Sequence, residues 1–175
     1  MLMSDVPSLA LDRCRVERAL SATVEIVEAG PADRHFPDRV HETLGVCLKI
    51  GADHDVRADG RELRYPANSV CVRPPGCVWA TPSTGQVGFL SLDIEASHLP
   101  DGGASGSMRF ANPRQLPDLR RVVRLLRGSA APLEKQSAVA ELVGALLEAE
   151  LLSSADVGRT PSPHAVTRAR ELLPA

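Results

Sequence analysis

The chain has 175 residues, 43% of them hydrophobic, a formal net charge of −2 and five aromatic residues. That length suits one main domain with an appendage and buries a core without staples. The composition excludes wholesale disorder, and the charge excludes a chain-wide basic field for nucleic acid. No apolar run approaches the roughly 18 residues of a membrane span. The first residues lack the basic-then-apolar pattern of a secretory signal, so the cytoplasm is the expected location. Cys14, Cys47, Cys71 and Cys77 show no CxxC spacing and read as free thiols in a reducing compartment.

Residues 1–20 read as an N-terminal arm, either a short helix or irregular, with apolar Leu9, Val16, Ala19 and Leu20 among charges. Residues 21–28 alternate as a half-buried first strand does, and Gly30-Pro31 is expected to end it. Pro37 and Asp38 are expected in a loop. Residues 41–50 form a second strand apolar on both faces: Leu44, Val46, Leu48 and Ile50 against Thr43, Gly45 and Cys47. Such a strand faces a lumen on one side and helices or a second sheet on the other. Asp59-Gly60 between residues 53–58 and 61–65 is a strong hairpin signal, and the charged flanks suit a solvated edge. Residues 69–73 are a further strand. Residues 86–95 are expected to be the longest, with Phe89, Ser91 and Asp93 on one face.

Residues 101–107, with three glycines, read as a flexible loop, and the period then changes to helical. Leu116, Leu119, Val122, Val123 and Leu126 make a stripe of 3-and-4 spacing. Asp118 suits the start of that helix and Gly128 its stop. Pro132 opens a second helix whose broad face holds Leu133, Val139, Leu142, Val143, Leu146, Leu147 and Leu151. The face is wide enough for the β domain on one side and a partner helix on the other. Residues 153–163 are a linker by composition, and residues 164–173 begin a new helix. The chain is therefore expected to be a fragment cut just inside a following domain.

The segment DGRELRYPANSVCVRPPG, then two amphipathic helices, a linker and AVTRAREL, resembles the N-terminal half of an AraC-family transcriptional regulator. The matching residues are Gly60-Arg61, Pro66-Ala67-Asn68, Val70 to Val72, and the run from Pro74-Pro75-Gly76 to Trp79. The similarity covers residues 36–173. The resemblance implies an α+β, mainly β fold: a cupin-type jelly-roll β-barrel over residues 21–111, binding an effector, followed by a C-terminal helix pair over residues 112–152 that makes a homodimer. Residues 153–175 would be the linker and the start of a truncated helix-turn-helix domain. DNA would be reached only through that missing domain, and no membrane partner is implied.

No catalytic residue, cofactor or metal is expected. Metal-binding cupins carry an HxH pair and a further His after the turn; here His41 has no such partner, and Trp79 occupies the last position. One imidazole does not hold a catalytic metal. A G-x-S-x-G elbow is absent. The ligand-binding candidates are His41, Thr43, Cys47, Cys71, Arg73, Trp79, Phe89 and Ser91. Trp79 is either a pocket wall or a plug at the barrel end. Cys47 and Cys71 are either core thiols or, with Thr43, the lining of a small, weakly polar lumen for an uncharged ligand. Arg73 is either solvated or paired with a ligand carboxylate. Leu119, Val123, Val139, Leu142 and Leu146 are the expected dimer seam, and Arg114, Arg120, Arg121, Arg124 and Arg127 its wet side. The expected function is effector binding and dimerisation in a transcription regulator. A stand-alone cupin enzyme (isomerase, epimerase or metal-dependent oxygenase) is the alternative, and a filled structural barrel a third.

Overall fold

A computed structural model describes residues 14–33, 35–81, 86–100 and 104–154. The expected linker and new helix beyond residue 154, most of the arm, and the first three residues of the glycine loop lie outside the described residues.

Among the described residues twelve strands form in chain order: β1 Cys14–Ala19, β2 Val24–Ala32, β3 Phe36–Val40, β4 Leu44–Gly51, β5 His54–Ala58, β6 Arg61–Tyr65, β7 Val70–Arg73, β8 Val78–Thr81, β9 Val87–Ile94, β10 Ala104–Ser105, β11 Arg109–Ala111 and β12 Ser153–Ser154. Two helices, α1 Leu119–Arg127 and α2 Pro132–Glu148, lie between β11 and β12. The strands make a six-stranded sheet ordered β1-β2-β9-β4-β7-β11, a four-stranded sheet ordered β3-β8-β5-β6, and the small β10-β12 pair. Every pairing is antiparallel. Among the described residues no strand of the large sheet pairs with one of the four-stranded sheet. The expected closed barrel is thus a two-sheet sandwich carrying a helix pair.

The large sheet is buried on both faces, which is why residues 41–50 read as apolar throughout. Even-numbered positions of its inner strands, including Ile26, Leu44, Val46, Val72, Leu92 and Ile94, pack with Val123, Val139, Leu142 and Leu146 of the helices in one core cluster. Odd-numbered positions turn to the four-stranded sheet, where Cys71 meets Val56, Ala58, Tyr65, Cys77 and Met108. Alternation with a period of two makes this division. Asp118 caps α1 by accepting from Arg120 N (3.0 Å), and Gly128 N closes it on Arg124 O (3.0 Å). Lys135 Nζ donates to Leu126 O (2.8 Å), tying α2 to the end of α1. Arg127 then fastens α1 to the sheet, donating to Glu17 and Glu28, each at 2.8 Å.

Several expectations change. Residues 14–19 are a strand, not a helix: Cys14 to Ala19 pair residue by residue with Ala29 to Val24. The connecting turn puts Leu20, Ser21 and Ala22 all at positive φ. Thr23 holds it, its hydroxyl donating to Leu20 O (2.6 Å) and accepting from His98 Nε2 (2.7 Å). Gly30-Pro31 does not end β2 but produces a register shift between Ala29 and Ala32. Gly88 lies opposite, where a Cβ would come within 3.0 Å of Ala29 O. At nine residues β2 exceeds β9, the expected longest strand, by one. Pro37 and Asp38 lie in β3, not in a loop, because β3 is a sheet edge and an edge tolerates proline.

The largest correction concerns the helices. Leu119, Val123, Val139, Leu142 and Leu146, the expected dimer seam, are at most 5% exposed within the single chain. Their stripe is consumed by the sheet and offers no surface to a second copy. Leu133, expected on that face, is 73% exposed. Accordingly, Leu142→Ala should cost about 2–5 kcal/mol in urea denaturation. Leu142→Glu should unfold the chain by circular dichroism, not merely shift its sedimentation mass. Leu133→Glu should leave the urea midpoint unchanged.

Candidate functional site

Between the two sheets lies a partly open cavity of about 280 Å³. Its floor is the odd-numbered face of the large sheet, laid out in rows by the strand register. One row runs Arg73, Gly45, Asp93, Glu25. The next runs Cys71, Cys47, Ser91, Val27, Val16. The third runs Lys49, Phe89, Ala29, Cys14. The facing walls come from Phe36 and Arg39 on β3, His54 on β5, Tyr65 on β6, and Trp79 and Thr81 on β8.

Arg73 organises one end. It is 6% exposed, and its guanidinium Nη2 donates to Asp93 Oδ1 and to Ser91 Oγ, both at 3.2 Å. Its Cζ lies 4.8 Å from the centroid of the Trp79 ring. The side chain can lie flat only because the strand beneath carries Gly45: a Cβ there would meet Nη2 at 2.6 Å and Nε at 2.7 Å. Burial works against the Arg73 charge, but Asp93, the largest opposing influence, together with Cys47, Cys71 and Tyr65 outweighs it, and its pKa lies above the usual arginine value. Burial raises Asp93, with Arg73 opposing.

The Pro-Pro-Gly turn sets the wall. Gly76, at φ +80°, takes the left-handed backbone that this turn requires. Its N–H donates to His41 O (2.7 Å), and Val78 N donates to Asp59 Oδ1 of the hairpin (3.0 Å). These bonds bring the His41 and Trp79 rings to 5.8 Å in a stacked arrangement. Phe36 lies 5.6 Å from Trp79 and 6.2 Å from Phe89, giving an aromatic side to the cavity. Arg39 Cζ sits 5.1 Å above the Phe36 ring.

Lys49, 1% exposed, marks another part of the wall. Its ammonium donates to Tyr65 O (2.8 Å) and lies 4.8 Å over the Tyr65 ring. Tyr65 donates its hydroxyl to Cys47 O (2.8 Å). Burial lowers the Lys49 pKa and raises those of Cys47, Cys71 and Tyr65. Thiols so shifted stay protonated and make poor nucleophiles.

Of the expected ligand-binding residues, His41, Cys47, Arg73, Trp79, Phe89 and Ser91 line this cavity. Cys71 lies behind it against a 30 Å³ void, and Thr43 falls in the bend before β4 and takes no part. Lys49, Tyr65, Asp93, Arg39 and Phe36 were not foreseen. The expectation of a weakly polar lumen is corrected: Arg39, Lys49, Arg73, Glu25 and Asp93 all line it. Among the described residues, no three of His, Cys, Asp and Glu come together as a metal site would require.

Two outcomes check this geometry. Gly45→Ala should force the guanidinium off the strand, costing about 1–3 kcal/mol in urea denaturation and changing Trp79 emission. Both cavity imidazoles are held neutral: His41 falls to about 3, chiefly by burial and then by Arg73 and Arg39, and His54 to about 4, chiefly by burial. Folded values below the unfolded value of about 6.5 mean that the unfolded chain binds more protons in that window. Stability from these groups is complete above about pH 6.5 and is lost as pH falls toward their folded values. The urea midpoint should therefore decline on acidification through this window, with a shallower slope in His41→Gln.

No family model matches the chain, and no curated protein matches it. Parts of the structure are similar to solved structures. One is a cupin 2 conserved barrel domain protein from Salinispora arenicola, with 16% identity over 55% of this chain and 91% of that one, at a TM-score of 0.38. Another is the EutQ protein of Clostridium difficile, with 14% identity over 47% of this chain and 67% of that one, at 0.36. A third is the DMSP lyase DddQ from Ruegeria pomeroyi, with 17% identity over 54% of each chain, at 0.40. At this identity and overlap the likenesses carry no weight for the chemistry of this chain.

Proposed function

We propose that the chain is the effector-binding part of a transcription regulator of AraC type, built on a cupin-type jelly roll and without catalytic activity of its own. The observation that carries this reading is the cavity between the sheets, whose floor is also the sheet on which α1 and α2 pack. A small molecule bound there presses on strands that hold the helices from the other side. The resemblance of residues 59–79 and 165–172 to that family supplies the output, a tethered DNA-binding domain.

Binding moves such an equilibrium only through different affinities for two arrangements of the helices. Pairing of two copies belongs to the same reading, on surfaces other than the five core positions of the helices. The competing reading is a stand-alone enzyme acting through a metal, a nucleophile or an acid–base pair. The raised Cys47 and Cys71 values speak against a cysteine nucleophile there.

The test uses the single tryptophan. In a broad panel of small metabolites, at least one compound should change Trp79 emission saturably and raise the melting temperature, while purified protein holds no stoichiometric metal. Metal at one equivalent, with turnover of a panel compound, would sink the sensor reading. Silence across the whole panel would leave a filled structural sandwich.

A further inference from the structure

We infer that the cavity takes a small organic monocarboxylate with an apolar, ring-sized body; this rests on the ligand-binding reading of the same cavity. The primary observation is a set of polar atoms with no partner. Besides Glu17 Oε1, which faces Arg15, five buried side-chain polar atoms of the described residues lack any hydrogen bond: Arg39 Nη2, His41 Nε2, His54 Nδ1, Arg73 Nε and Trp79 Nε1. All five side chains line this one cavity. A buried polar group left unsatisfied costs about 1–3 kcal/mol, so partnerless atoms are rare and each calls for a reason. Here four gather at one end, around the Trp79 ring, which the His41 ring stacks and the Arg73 guanidinium covers.

Their chemistry fixes the sign of the missing partner. Guanidinium and indole N–H groups only donate, so the partner must accept. The charges that line the cavity are Arg39, Lys49 and Arg73 against Glu25 and Asp93, and Glu25 also pairs with Arg18 at 3.4 Å, which leaves at least one positive charge uncompensated. A single carboxylate neutralises it, and its two oxygens accept from a guanidinium fork. A dianion would bring a second negative charge against Asp93 and Glu25. A neutral sugar would answer the donors but leave the positive charge unpaired.

The rest of the lining describes the body of the ligand. Phe36, Phe89, Val16, Val27 and Val87 supply an apolar surface beside the donor end. The volume of about 280 Å³ is nearly twice that of a cavity of about 150 Å³ that takes up benzene. One or two fused rings fit that space.

Isothermal calorimetry with benzoate and 2-naphthoate, each against its neutral amide, tests the inference. The carboxylates should bind at least tenfold tighter than benzamide and 2-naphthamide, and Arg39→Gln should erase most of that difference. Arg39 is used because Arg73 is locked to Asp93 and its loss endangers folding; Arg73→Lys, checked by circular dichroism, is the second variant and should also weaken the carboxylates. Equal binding of acids and amides would overturn the carboxylate assignment while leaving a ligand cavity in place. So would failure of both acids alongside binding of other panel compounds. Failure of every compound would remove the ligand-binding reading with it.

Discussion

The cavity depends on one buried guanidinium. Arg73 is held flat across a strand by Asp93 and Ser91, roofed by Trp79, and admitted only because residue 45 has no side chain. A buried charge without a partner is costly and tends to be expelled or neutralised. Asp93 prevents that, although burial holds its own pKa above the usual value even with the arginine opposing. The pair adds little as a source of stability, because desolvation opposes the attraction. It fixes position: Trp79 lies against the planar cation, and the His41 and Phe36 rings pack against Trp79 in turn.

The same architecture explains why the site is charged although the chain is nearly neutral. The ionic row crosses the sheet on neighbouring strands that are far apart in sequence, with Arg73 on β7, Asp93 on β9 and Glu25 on β2. Whole-chain charge is blind to such a row. The helix layer closes the opposite face of the sheet, so an inner strand meets a polar cavity on one side and a dry aliphatic core on the other.

How far this was legible depends on which residues are read. The Asp59-Gly60 turn was plain because it needs two positive φ values, and both are observed. The two-faced burial of residues 44–50 was legible from continuous apolar content. Lys49 was overlooked, although a period of two places it beside Cys47 and Gly45. Asp93 was placed on the face of Phe89 and Ser91, but only pairing revealed Arg73 beside it. Pro37 and Gly30-Pro31 misled because proline reads as a breaker, while an edge strand and a bulge both admit it. The helix seam failed for a different reason. An amphipathic stripe states that something covers it, and residues 119–146 carry no mark separating a sheet of the same chain from a second chain.

In β2, β4, β7 and β9 the division between odd and even positions has an evolutionary consequence. Substitution at 27, 47, 89 or 91 alters what the chamber receives and leaves the helix contacts intact. Substitution at 26, 46, 72 or 92 does the reverse. Selectivity and foldability are thus written on separate letters of the same strands, and point mutation can explore one without eroding the other. Insertions have no such freedom. One extra residue inside β4 would exchange the two alphabets at once, sending the Lys49 charge among leucines, so length change is confined to the connections.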